Sequence, residues 1–427
     1  MVSEKDRKRS IFGGLIGIYI ELYDNAIYGF LAGTLAVVFF PSDGPATSIL
    51  LTFAAFGIPF FFRPIGAAVA GSWGDRIGRK KVLLILVGIM SLSTGLIGVL
   101  PGYATAGFWA PLAVVLLRFA QGFAMGGEPG NANSFLAEHA GDGRRGRVVS
   151  YANAATFVAM FTGTVFAAAL TALLSTDAMQ SWGWRLPFLV AFPLGILAIY
   201  IRGRATESPE FEEAGDEGGT SASPLKEAFA SAEHRRAMLM CIILPLFNSS
   251  GYFVLFIYMP TFMSTEMNFT SFEGLVLTSI MLAVGTGAVL YAGRLSDRLG
   301  RKKLLASSAF TMVVIGFPCY YLLTLGSFEI AVLGAVVMSL CFAGTNGVVQ
   351  VTLAELFPTR VRTVAYGVGY NLGTAVFGGA APLVITALIA ATGSTWVPAI
   401  YMVLTSLVAG VAATRITESA FVPLKRQ

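Results

Sequence analysis

Charge is scarce in this sequence. Of 427 residues, 29 are lysine or arginine and 24 aspartate or glutamate, 12% in all, where a soluble domain carries about a quarter. A chain so short of charge cannot clothe a water-facing surface, which excludes an ordinary soluble enzyme or binding module. Histidine is almost missing: the two copies, His139 and His234, sit at the edges of apolar runs and read as surface residues. The three cysteines, Cys241, Cys319 and Cys341, lie inside apolar runs without C-x-x-C spacing. Buried free thiols are therefore expected, and neither a disulfide framework nor a metal site is. No nucleophile, metal cluster or cofactor motif appears, so no cofactor and no enzymatic chemistry are expected.

What is present is apolar: 55% hydrophobic residues, 33 Phe, 48 Gly and 14 Met. Each membrane-crossing helix needs roughly 20 residues for ~30 Å of hydrocarbon. Twelve runs qualify: 12–39, 48–73, 82–100, 109–133, 148–174, 184–201, 236–263, 273–294, 303–324, 328–354, 363–391 and 396–414. The fold expected is an all-α membrane protein of twelve transmembrane helices. The charged start (Lys5, Arg7, Lys8, Arg9) leads into a run too long for a signal-peptide core, so it reads as the first span. Connections are short except 202–235, where Glu207, Glu210, Glu212, Glu213, Asp216 and Glu217 mix with Gly, Ser and Pro. That stretch reads as a solvated linker dividing an N-terminal six-helix bundle, 1–201, from a C-terminal one, 236–427.

A net charge of +5 would fit a nucleic-acid partner if it formed a face, but it does not. Twenty-six of the 29 basic residues fall at the N-terminus, after spans 2, 4, 6, 8 and 10, and at the C-terminus; the others are Arg63, Arg118 and Arg185. By the positive-inside rule both termini are cytoplasmic, and the partner expected of this surface is a lipid bilayer. The chain also repeats itself. Residues 71–81, Gly-Ser-Trp-Gly-Asp-Arg-Ile-Gly-Arg-Lys-Lys, match 293–303, Gly-Arg-Leu-Ser-Asp-Arg-Leu-Gly-Arg-Lys-Lys. Ala137-Glu138 with Arg144, Arg145 and Arg147 pairs with Ala354-Glu355 and Arg360 and Arg362 at about the same offset. Two six-span units in one orientation are parallel repeats, as in transporters built from two bundles around a central site.

Residues 71–81 resemble the signature loop between spans 2 and 3 of the major facilitator superfamily, and the resemblance covers essentially the whole chain. Further segments resemble its metabolite:proton symporter branch, which contains carriers of citrate, 2-oxoglutarate, shikimate and proline/betaine. They are Glu21–Gly29, Arg63-Pro64-Ile-Gly66, Arg118–Gly122 with Gly126-Gly-Glu128, Gly183–Pro187 and Glu355–Arg360. The resemblance implies alternating access and the proton as coupling ion, in a bacterial cytoplasmic membrane. Asn25 and Pro129-Gly-Asn131 depart from the branch pattern near the expected pocket, so no one relative's substrate carries over. Proline/betaine carriers often have a long C-terminal coiled-coil tail, and about a dozen residues follow span 12 here, which turns the expectation toward a small organic anion. A proline- or betaine-like zwitterion is the alternative, and an efflux antiporter a more distant one. A monomer is expected.

Ionisable residues inside spans point to function, since each costs at least ~2.5 kcal/mol at the bilayer centre unless paired or watered. They are Glu21 and Asp24 on span 1, Arg63 on span 2, and Arg118 and Glu128 on span 4, all in the first half. Glu21, Asp24 and Tyr28 share one helix face; Arg118, Gln121, Met125 and Glu128 fall within an arc of about 80° at 100° per residue. Asp24 is the candidate for proton coupling, because burial disfavours its charged form while a nearby arginine favours it. It reads otherwise as a fixed partner of Arg63 or Arg118. Glu21 and Glu128 are further coupling candidates, and read equally as a packing partner and a gate residue. Arg118 and Arg63 keep their charge at any physiological pH and match a carboxylate with a planar fork; with nothing charged opposite, they favour an anionic substrate. Asn248, Tyr252, Asn346, Tyr370 and Asn371 in the second half are candidate lining residues, each also able to serve as an interhelical hydrogen bond. Asp75 with Arg79, Asp297 with Arg301, Glu138 with Arg144, and Glu355 with Arg360 read as ion-pair latches on the cytoplasmic side.

Overall fold

A computed structural model describes residues 4–422 except 78, 127–132, 135, 138, 139, 141, 142, 204–231 and 358. For some further helical residues, Asp75, Arg79 and Arg360 among them, it describes the backbone alone. The expected linker and the side chains of Glu128 and Glu138 therefore lie outside the described residues.

Among the described residues, nine helices are long and apolar enough to cross a membrane. A tenth span is a pair bent by 66°, and two shorter apolar helices, Leu84–Val99 and Trp109–Met125, complete the twelve expected positions. In chain order they are α1 (Glu4–Phe30, with Ala32–Phe39 beyond the bend), α2 (Pro45–Ile77), α3 (Arg79–Val99), α4 (Trp109–Met125) and α5 (Arg145–Leu173). After them come α6 (Thr176–Ile201) and α7 (Arg235–Glu266), then α8 (Ser271–Leu299), α9 (Arg301–Leu323) and α10 (Phe328–Leu356). The last two are α11 (Ala365–Thr392) and α12 (Val397–Thr414). In the first half α1 packs on α5 and α6, α2 on α4, and α3 on α4 and α6; in the second, α8 packs on α10, α9 on α10 and α12, and α7 on α11 and α12. The halves meet along α5 against α8 and α2 against α11.

Hydrocarbon offers no hydrogen bonds, so a broken helix must satisfy its own backbone. Three breaks do so by widening. Met179–Gly183 in α6, Phe253–Tyr258 in α7 and Ala375–Gly379 in α11 are π-helical turns. Each precedes a proline: Pro187, Pro260 and Pro382. Proline has no N–H and its ring crowds the carbonyl four residues back. Those carbonyls belong to Gly183, Phe256 and Gly378, and all three lie inside the widened turns.

Glycine sets the closest approaches. A methyl group at Gly66 would fall 1.9 Å from the Phe123 carbonyl oxygen, and one at Gly126 would fall 2.1 Å from that of Arg63, so α2 and α4 touch backbone to backbone. The arginine-rich end of the α5–α8 seam is equally tight: a methyl at Gly146 would meet the Gly293 carbonyl oxygen at 2.5 Å, and one at Gly293 the Ser150 Cβ at 2.4 Å. Midway along the seam the filling is aromatic. Phe60 and Phe56 of α2 meet Phe253 of α7 at centroid distances of 5.0 and 5.9 Å, and Phe157 of α5 meets Phe256 at 5.2 Å. These pairs are edge-to-face, the favoured geometry. The two bundles are thus closed together at the arginine-rich end and sealed by rings at the centre.

Overpacking a seam costs ~1–3 kcal/mol, or about 5- to 150-fold in the population of the closed form. Gly293→Val is expected to raise by that order the maleimide labelling of an Ala152→Cys reporter, a position buried between α5 and α10. An unchanged labelling rate would show that the Gly146–Gly293 contact does not hold this end shut.

Candidate functional site

Asp24 and Arg118 are both buried at the centre of the first bundle, 2% and 1% exposed, yet two side chains stand between them. Arg118 Nη1 donates to Gln121 Oε1 (3.0 Å), Gln121 Nε2 to Thr94 Oγ1 (2.6 Å), and Thr94 Oγ1 to Asp24 Oδ2 (3.0 Å). The second amino group of Arg118 donates to Asn25 Oδ1 (3.3 Å) and the Phe56 carbonyl (3.0 Å), and its plane lies over the Tyr28 ring at 4.5 Å. Arg63 pairs with Glu21 instead, at 3.8 Å, touches Met125 Sδ at 3.6 Å and stacks on Phe60 at 4.5 Å. Neither arginine forms an ion pair with Asp24 among the described contacts. Helical phase explains the split: Glu21 is one turn closer to the arginine-rich end, beside Arg63, while Asp24 meets Thr94 of α3.

The second bundle faces this cluster with uncharged groups. Tyr252 of α7 is buried beside Phe253, the ring that meets Phe56 and Phe60 across the seam. Asn346 Nδ2 donates to Asn248 Oδ1 (2.8 Å), and the Asn346 carbonyl accepts from Asn153 of α5 at 2.7 Å. Asn371 Nδ2 donates to the Gly126 carbonyl at 3.3 Å. Asn346 and Asn371 therefore tie the bundles together. Buried polar atoms are normally satisfied, but Asp24 Oδ1, Tyr28 OH, Arg63 Nε, Arg118 Nε, Tyr252 OH, Asn346 Oδ1 and Asn371 Oδ1 have no hydrogen-bond partner among the described residues. Polar atoms from both bundles are left unused around the seam, where a small polar solute would use them.

The latch at the arginine-rich end is made of ion pairs. Arg145 Nη1 lies 2.9 Å from Glu355 Oε1, Arg301 lies 3.4 Å from Glu355, and Arg301 lies 2.8 Å from Asp297. Asp297 also accepts from the backbone N–H groups of Gly146 and Arg147, both at 2.9 Å. It thereby caps α5 of the opposite bundle, where orphan N–H groups favour an anion. Glu418 does the same for α9, accepting from Arg301 N at 2.8 Å and Lys302 N at 3.1 Å, and Ser419 Oγ donates to Glu355 at 2.6 Å. Glu138, the partner expected for Arg144, lies outside the described residues. Arg144 is exposed and non-helical at the N-cap of α5; Arg145, at the first helical position and 3% exposed, turns inward. The side chains of Asp75, Arg79, Glu138, Arg360 and Glu128 lie outside the described residues. Thr94, Asn153, Arg145, Glu418 and Ser419 were not singled out from sequence. Arg145 stands in a visible arginine cluster, but a lone threonine or asparagine in an apolar run carries no signal.

Breaking a buried ion pair from one side costs about 3–5 kcal/mol. Glu355→Gln is expected to loosen the closed form more than Arg145→Met. The first change takes the only carboxylate described beside Arg145, leaving it the Ser419 and Val422 carbonyls, and one of the two beside Arg301; the second leaves Glu355 its bonds to Arg301 and Ser419. Thermal unfolding together with labelling of the Ala152→Cys reporter ranks the two, and the reverse order would remove Glu355 from the centre of the latch.

Comparison with known proteins fits this architecture. The family model described as Major Facilitator Superfamily matches residues 15–382 and 274–423. The glycine betaine/proline/ectoine/pipecolic acid transporter of Dickeya dadantii is 31% identical over 428 residues, 98% of this chain and 85% of the relative. The citrate-proton symporter of Salmonella typhi is 32% identical over 412 residues, 94% of this chain and 93% of the relative. Among solved structures, the partially occluded inward-open xylose transporter of E. coli superposes with a TM-score of 0.75 at 18% identity, over 96% of this chain and 97% of that one. With twelve helices in two repeated bundles, a polar site between them and a family match along nearly its whole length, the chain belongs to the Major Facilitator Superfamily of membrane transporters.

Proposed function

We propose that this protein is a proton-coupled symporter that takes up a small solute bearing one carboxylate, by alternating access, across a bacterial cytoplasmic membrane with its arginine-rich face toward the cytoplasm. The observation that carries the reading is the buried charge set. Among the described residues the central cluster holds two guanidiniums, Arg63 and Arg118, and two carboxyls, Glu21 and Asp24. Among the described residues Asp24 has one hydrogen bond and no ion pair, which suits a carboxyl that is neutral in part of the cycle. With Asp24 protonated the cluster carries one net positive charge; with Asp24 ionised it carries none. A solute bringing one negative charge therefore balances the proton that enters with it, whereas a tricarboxylate would leave two charges uncompensated. Arg63 Nε and Arg118 Nε have no partner among the described residues and point to the carboxylate's contacts, with Tyr28, Tyr252, Asn346 and Asn371 able to bond the remainder.

A small organic monocarboxylate is the first reading. A zwitterion such as proline or betaine is the second, favoured by the Tyr28, Phe56, Phe60 and Phe253 rings, whose faces attract a cationic head group. The relatives divide likewise between betaine/proline carriers and citrate-proton symporters. Latch ion pairs at Arg145, Glu355, Arg301 and Asp297 hold the cytoplasmic side shut while solute enters from outside, and they separate on inward opening.

The test is uptake in proteoliposomes, with and without an inward proton gradient, across labelled benzoate, shikimate, proline, betaine, 2-oxoglutarate and citrate, with Asp24→Asn alongside. Gradient-driven accumulation of a single-carboxylate solute is expected, lost in Asp24→Asn while exchange of solute for solute persists. Accumulation of citrate alone, or accumulation unaffected by Asp24→Asn, overturns the reading.

A further inference from the structure

Gln121 cannot choose its orientation. A guanidinium only donates, so Arg118 Nη1 holds the Gln121 carbonyl oxygen toward itself, which turns the amide nitrogen to Thr94 at 2.6 Å. The Thr94 hydroxyl, fully buried on α3, thus always has one lone pair occupied. Its single proton faces two acceptors at the same distance, Asp24 Oδ2 at 3.0 Å and the Met90 carbonyl at 3.0 Å. One proton serves one acceptor at a time.

We propose that the Thr94 hydroxyl is a two-position switch that transmits the protonation state of Asp24 through Gln121 to Arg118, and so makes solute binding depend on the proton. When Asp24 is ionised, Thr94 donates to it, and the three bonds Arg118→Gln121→Thr94→Asp24 run in one direction. Aligned bonds that end on a charge reinforce one another, and Gln121 grips Arg118. When a proton sits on Asp24 Oδ2, that oxygen becomes the donor. It gives its hydrogen to the second lone pair of Thr94, and the Thr94 proton rotates to the Met90 carbonyl, the ordinary resting bond of a helical threonine. In both arrangements the Thr94 hydroxyl donates its one proton and accepts from Gln121. In the second, Gln121 and Asp24 both donate to one hydroxyl, the chain from Arg118 ends on the neutral Met90 carbonyl instead of a charge, the reinforcement weakens, and Arg118 is freer to turn toward a carboxylate. Protonation therefore precedes and favours solute binding.

The ionisable groups around Asp24 are few. Its own helix carries Tyr19, Glu21, Tyr23 and Tyr28; α4 brings Arg118 and α2 brings Arg63, paired to Glu21. The described ionisable residues of α5, namely Arg145, Arg147 and Tyr151, lie in its first two turns; those of α6 are Asp177, Arg185 and Tyr200, and those of α3 are confined to its first turn.

The proposal rests on the transport reading above, and its test separates the two. Solute exchange is measured with whichever member of the uptake panel the wild-type protein exchanges fastest, and its KM is followed from low to high pH. In the wild type KM is expected to rise with pH. In Thr94→Val, which keeps the side-chain shape and removes the hydroxyl, the rise is expected to be lost while exchange at saturating solute persists; Thr94→Ser is expected to restore it. A wild-type pH profile in Thr94→Val, beside a flat one in Asp24→Asn, overturns the switch and leaves the coupling role of Asp24 standing. A wild-type profile in Asp24→Asn, or exchange of no panel member, removes both. Should Thr94→Val not reach the membrane, Gln121→Met interrupts the chain at the next link and must flatten the profile too; a wild-type slope there is equally fatal.

Discussion

A guanidinium in hydrocarbon keeps its charge, so everything near Arg118 is arranged around that fact. Its five donors cannot be turned off, and an isolated ion would be prohibitively costly to bury. Gln121, Asn25, the Phe56 carbonyl and the Tyr28 ring together spread the charge without cancelling it. This leaves Asp24 with a threonine in place of a salt bridge. An aspartate locked onto an arginine would stay ionised through the cycle; one held by a single hydroxyl can exchange a proton. The neutral residues between the two charges keep both of them available.

The same low-dielectric logic separates the site into levels. Glu21 meets Arg63 one turn below Asp24, and the rings of Phe56, Phe60 and Phe253 divide both from the other bundle. Below them, Asn346 and Asn371 cross the seam with neutral bonds, and at the arginine-rich end charge returns in the Arg145–Glu355–Arg301–Asp297 cluster. Neutral contacts in the middle part at modest cost, while the ion pairs stand where water can solvate them when they separate. Asp297 adds a geometric condition: it caps α5 only while Gly146 lies flat on Gly293. Latch and seam are one contact seen from two sides.

Much of this was visible in the residues. Twelve apolar runs, the arginine bias and the match of 71–81 with 293–303 each follow from a local rule, and the helices fall where those rules put them. The three prolines behind the π-turns were equally visible, though their consequence was not, since other prolines, Pro59 and Pro64 in α2, pass without a break. The central carboxylates and arginines were legible because a charge in an apolar run is rare. Thr94 was not, because a threonine looks the same in a helix whether it bonds its own backbone or bridges two helices. Arg144 and Arg145 could not be told apart from a string of arginines; a helix start decides which one turns inward.

By itself the sequence determined what hydrophobicity, periodicity and repetition can encode: a twelve-helix membrane protein in two like halves, with its mid-span charges in the first. Pairing was left to the tertiary structure. Which carboxylate meets which arginine depends on helix phase and on how closely backbones approach, and both are set by contacts between residues far apart in the chain. Glu21 lies beside Arg63 of α2, while Asp24, nearly one turn further along α1, meets Thr94 of α3. A linear pattern records which groups are present, but a hydrogen bond is decided by a few tenths of an ångström between them.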